Sequence, residues 1–193
     1  MILTVTLADR AYTVDAGAPI DISIPLRFNG PGPGAFGIAP PVARPVEAGT
    51  FVGDTRRGGS CNCETVTLNP HGNGTHTECV GHLTDERIAV ADTLRDVLLP
   101  ALVVSVVTEN AGDGDAKLEG VPFGDHVITR RALVRALEAA GPVPAEFRRA
   151  LVIRTRPNDG AKLTAEYSGN NPAYLTVPAM RFVRELGVEH LLL

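Results

Sequence analysis

Two runs of apolar, largely β-branched residues, ALVVSVV (Ala101–Val107) and ALVIRT (residues 150–155), limit what this chain can become. Such continuous runs read as strands covered on both faces. Between them lies RRALVRALEAA (Arg130–Ala140), with Thr129 at the capping position and Gly141-Pro142 as its stop. Leu133, Val134, Leu137 and Ala140 are its expected buried stripe. A last helix, PAMRFVREL, opens after Thr176 at Pro178 and stops at Gly187, and VEHLLL then begins another strand. Strands alternating with helices predict an α/β domain with a mostly covered sheet. At 193 residues the chain suits one domain, residues 1–193, with enough length to bury a core.

Upstream, ILTVTL (Ile2–Leu7) and residues 13–26, broken at Ala16-Gly17-Ala18-Pro19, read as early strands. Residues 29–45 are dense in glycine and proline and predict an extended loop, either a cover for a site or a passive connection. In GDTRRGGS (residues 53–60), Arg56 and Arg57 either hold a substrate carboxylate or are simply solvated. Asp92 is placed to cap a short helix over residues 93–98, ended by Pro100. Residues 110–120 and 167–176 are expected to be polar loops.

Composition excludes several partners. A net charge of −4 leaves no basic footprint for nucleic acid. No apolar run approaches the roughly 18 residues that span a bilayer, and the N-terminus shows no signal-peptide pattern. The three cysteines cannot all pair, and Cys61 and Cys63 are too close for an ordinary disulfide framework. A reducing, cytoplasmic setting is expected.

The chemistry concentrates in NPHGNGTHTECVGH, residues 69–82, which hold three of the five histidines. His71, His76, Glu78, Cys79 and His82 all carry groups that bind divalent metals or move protons near neutral pH. The alternating run CETVTL (residues 63–68) leads in as a strand, and Asn69-Pro70 stops it. In an extended segment His76 and Glu78 share a face. An open metal site of this kind would serve hydrolysis, with His82 as general base and then acid. A polar turn with solvated histidines, a structural zinc site using Cys61, Cys63 and Cys79, and a nucleophilic Cys79 are the alternatives.

GTHTECVGH, following a strand and preceded by His71, resembles the metal-binding signature His-x-Gly-Thr-His-x-Asp-x-Pro-x-His of the cyclase family that includes bacterial kynurenine formamidases. Gly74-Thr75-His76 matches Gly-Thr-His, Glu78 takes the Asp place and His82 the final His. IDISIPL, ALVVSVV, NNPAYLT and GVEHLLL extend the resemblance over nearly the whole chain. It implies a mixed, barrel-like β-sheet surrounded by helices, in a homodimer or homotetramer. It also implies a zinc or manganese site that hydrolyses amide or cyclic amide bonds of a small molecule by activating water. His71, His76 and Glu78 would then be metal ligands and His82 the acid/base. A non-catalytic, metal- or ligand-binding member with an incomplete site is the alternative. The chain departs from the signature at Gly72, where the first His is expected, at Glu78, and at Val80-Gly81 in the proline step. Family members carry a further His and Glu beyond the point matching Leu193, so the resemblance also implies a C-terminally short chain.

Overall fold

The computed structural model describes residues 1–96, 98–111, 121–122 and 124–193. In chain order the strands are β1 (Ile2–Leu7), β2 (Arg10–Asp15), β3 (Val42–Pro45), β4 (Glu47–Ala48), β5 (Phe51–Val52) and β6 (Glu64–Thr67). They continue as β7 (Ala101–Val107), β8 (Glu109–Asn110), β9 (His126–Ile128), β10 (Ala150–Arg156), β11 (Tyr174–Leu175) and β12 (His190–Leu192). The helices are α1 (Pro70–Asn73), α2 (Val90–Thr93), α3 (Arg130–Ala140) and α4 (Val177–Glu185). The chain divides into two compact units. One comprises Met1–Asp21, Leu94–Asp159 and Asn171–Leu193, and the other Ile22–Thr93 and Gly160–Asn170.

In the first unit, β10 lies between β7 and β12 and is parallel to both, with Ala150 opposite Ala101 on one side and His190 on the other. The crossovers run through α3 and α4, as parallel strands require. Val104, Val106, Leu151 and Ile153 from the sheet pack with Ala132 and Leu133 of α3, Ala179 and Val183 of α4, and Ile128. Caps start both helices: Thr129 accepts from the Ala132 N–H, and Thr176 from the Ala179 N–H. Thr129 is fully buried, and its hydroxyl donates to Glu109 at 2.8 Å, so neither polar role of the cap is lost.

Several expectations need correction here. β7 is covered on one face only: Val104 and Val106 are buried, whereas Val103 is 60% and Val107 70% exposed. An apolar run does not reveal which face the helices take, and strand geometry sends alternate residues the other way. Ala140 is exposed, and Ala132 and Leu133 are the buried positions of α3. The early strand ends at Asp15. It pairs with β1 in a hairpin turned at Ala8 and Asp9, both with positive φ, while Ile20 and Ile22 stay exposed. Asp92 lies inside α2 rather than capping a helix over 93–98; Val97 of that segment is outside the described residues. Within the loop expected over 167–176, Tyr174 and Leu175 pair with β9. Of the loop expected over 110–120, Asn110 belongs to β8 and residues 112–120 lie outside the described residues.

In the second unit β3 pairs antiparallel with β6, so the proline-rich stretch becomes a strand over its last four residues. β4 and β5 form a small hairpin. β6 delivers the chain to α1 and the histidine-rich segment. Among the described residues no sheet closes into a barrel, and no helix is long and apolar enough to cross a membrane. Replacing the fully buried Leu133 with Ala should cost about 2–5 kcal/mol of stability. Urea unfolding of the purified protein measures this, and a loss below about 1 kcal/mol would contradict the assigned core.

Candidate metal centre

The site begins where β6 ends. Asn69 caps α1 by accepting from the His71 N–H at 3.1 Å, and Pro70 occupies the first helical turn, where its missing N–H costs nothing. Asn73, only 2% exposed, closes the turn. Its Oδ1 accepts from the Asn69 N–H at 2.7 Å, and its Nδ2 donates to the Ala39 carbonyl at 3.1 Å. Gly72, where the signature expects a histidine, is buried against Ile38; a Cβ there would lie 2.7 Å from Ile38 Cδ1. The helical turn takes up the extra residue and returns His71 toward Glu78.

Beyond the turn the backbone is extended, with the Thr75 hydroxyl accepting from the Ile24 N–H at 2.9 Å. His76 Nδ1 lies 2.9 Å from the Gly74 carbonyl. A carbonyl only accepts, so this contact assigns the proton to Nδ1 and leaves Nε2 as the ring's donor atom toward a metal. The chain then bends through a 3-10 turn, Val80–His82. Cys79 donates its thiol to the Ile88 carbonyl at 3.3 Å, and Gly81 sits against that carbonyl so closely that a Cβ would overlap it. That bend turns His82 back onto His71, their rings stacked at 4.3 Å with 22° between planes.

The result is a convergence on one atom. Glu78 Oε2 lies 3.4 Å from His71 Nδ1, 3.6 Å from His82 Nε2 and 3.8 Å from His76 Nε2. These separations exceed the roughly 2.7–3.2 Å of an N–H···O hydrogen bond. They approach the separation of neighbouring ligands around a four-coordinate divalent ion, about 3.3 Å for bonds of 2.0–2.1 Å. Ligand atoms of His71, Glu78 and His82 all lie within 4.8 Å of one another. A set of imidazoles and one carboxylate could therefore hold a divalent metal ion. Their side chains are 28 to 52% exposed, which leaves room for water or substrate. The structure thus brings His71, Glu78 and His82 into one donor group and leaves His76 outside it, its Nε2 3.8 Å from Glu78 Oε2. Beside His76 opens a cleft of about 350 Å³.

Other candidates fall elsewhere. No cysteine joins a metal-type donor group among the described residues, and Cys61 and Cys63 are exposed. Arg56 is held by Asp54 through two side-chain bonds of 2.9 and 2.8 Å, and Arg57 pairs with Glu47 at 2.6 Å. The Arg56 side-chain hydrogen bonds, then its backbone N–H, hold the Asp54 carboxyl below the ordinary value. In the other unit Asp96, Glu189 and His190 also form a donor group, drawn from positions far apart in the chain. There Arg149 already lies 2.7 Å from Glu189 and 3.4 Å from Asp96, supplying the positive charge an ion would bring.

The chain belongs to the family whose model is described as "Putative cyclase", which matches residues 4–193. No curated protein and no solved structure gives a significant match. Membership points to a metal-dependent, hydrolase-like role, and the described residues hold groups able to bind a metal.

Asn73→Ala should cost about 1–3 kcal/mol by orphaning the Asn69 N–H and the Ala39 carbonyl. It should also weaken zinc binding about 10- to 100-fold in a chelator competition titration, since the turn orients His71. Unchanged zinc affinity would contradict that role.

Proposed function

We propose that this protein hydrolyses amide or cyclic amide bonds of small molecules, with His71, His76 and Glu78 as metal ligands and His82 as acid/base. The observation that carries the reading is the donor group of His71, Glu78 and His82, with His76 Nε2 3.8 Å from the same carboxylate oxygen. When bound, zinc or manganese supplies Lewis acidity and makes water a nucleophile near neutral pH.

The protein's residues do the rest. Glu78 contributes one negative charge, which offsets half of a dication's among the imidazoles. His76 is fixed by its hydrogen bond to Gly74, so its ring need not reorient on binding. His82, stacked on His71 and 47% exposed at its side chain, would take a proton from the attacking water. It then returns that proton to the departing nitrogen as the C–N bond breaks, and the carbonyl carbon keeps the new oxygen. The family analogy adds barrel-like sheet curvature and a homodimer or homotetramer, and the three free cysteines add a cytoplasmic setting.

A second reading, metal binding without turnover, is favoured by the openness of the donors, each more than a quarter exposed. Assays on aryl formamides and lactams separate the two. The hydrolase reading expects turnover that stops on chelation and returns with zinc or manganese. His82→Ala should keep its metal and lose at least about a hundredfold in kcat. Metal-loaded protein inactive on the whole panel would favour the second reading, and turnover indifferent to chelators would contradict both.

A further inference from the structure

We propose that the cleft beside His76 receives an uncharged, apolar part of the substrate, and that Leu26 and Leu68 select against substrates bearing a carboxylate there. This rests on the hydrolase reading for the meaning of "substrate", and on the cleft itself for its chemistry.

The cleft is lined by Leu26, Leu68, Pro70, Thr75, His76 and Thr77 among others, and none of its lining residues is acidic, lysine or arginine. Its volume, about 350 Å³, falls within the range of small-ligand pockets, roughly 300–1,000 Å³. Leu26 and Leu68 are 42% and 41% exposed, so each retains apolar surface that a ligand can cover. The polar lining is largely committed to holding the backbone. The Asn73 amide bonds Asn69 and Ala39, and the Thr75 oxygen accepts from Ile24.

A carboxylate entering this cleft would shed hydration and meet no lysine or arginine among the lining residues. The two arginines that the sequence offered for that purpose are each tied to their own acid, Arg56 to Asp54 and Arg57 to Glu47. An apolar ring or alkyl group gains by covering the two leucines, while its amide carbonyl points toward the histidine cluster. The favoured substrates are therefore neutral aryl or alkyl amides and lactams, and not amides carrying an acid on the buried end.

Equilibrium binding tests this without requiring turnover. Acetanilide and its para-carboxylate derivative serve as a neutral and an anionic probe, titrated calorimetrically into the metal-free protein, wild type and Leu68→Arg, so that the carboxylate has no ion to ligate. Wild type should bind the neutral probe at least about tenfold more tightly. Leu68→Arg should reverse the order, and Leu26→Arg should do the same, guarding against failure of one variant to fold. Equal binding of both probes, tighter binding of the acid by wild type, or an order untouched in a folded arginine variant would overturn the proposal. Failure of the hydrolase reading would show separately, as the neutral preference without any turnover of formanilide.

Discussion

Glu78 is the atom-level centre of this protein's second unit. One carboxylate oxygen among three imidazoles works as a site only if the backbone beneath it holds still, because exposed side chains lose conformational entropy when ordered. The rigidity comes from beneath the histidines. Asn73 is buried and spends both ends of its amide on the main chain, at Asn69 and Ala39. Gly72 packs on Ile38, and Gly81 and Cys79 both press on the Ile88 carbonyl. These contacts fix where the chain turns, and the turns aim His71 and His82 at the same oxygen.

The contrast with the cluster at Asp96, Glu189 and His190 shows why donor atoms alone do not define a metal centre. There a guanidinium lies among the carboxylates, and its side-chain hydrogen bond with Glu189 holds that carboxyl below its ordinary value. A dication would have to displace Arg149 and leave its charge unpaired. At Glu78 no arginine or lysine pairs with the carboxylate among the described residues; its partners are the three histidines. The charge of one cluster is met by its own arginine, whereas Glu78 has only imidazole partners.

Much of this was legible in the amino-acid sequence where the signal is local. Thr129 and Thr176 mark helix starts because a cap needs only its own next turn, and β7 and β10 follow from unbroken apolar runs. The gathering of histidines was visible from their density between residues 69 and 82. His71 was harder: the signature places its histidine at position 72, and only a helical turn reconciles the two. Asn69 followed by Pro70 carried that signal, a cap and a first-turn proline, though it also reads as a strand stop. Ile38 beneath Gly72 and Ala39 beside Asn73, more than thirty residues away in sequence, left no local trace. Nor does an apolar strand say which of its faces two helices will choose, so the exposure of Val103 and Val107 emerges only in three dimensions.

The central claim is that Glu78 and the histidines around it hold a divalent ion. Elemental analysis of the purified protein beside Glu78→Gln tests it most directly, since the amide keeps the side chain's shape and removes its charge. Near-stoichiometric zinc or manganese in wild type, lost in Glu78→Gln with the fold intact by circular dichroism, is the predicted result. Wild type that carries no metal and takes up none when offered, or Glu78→Gln that retains a full complement, would contradict the account.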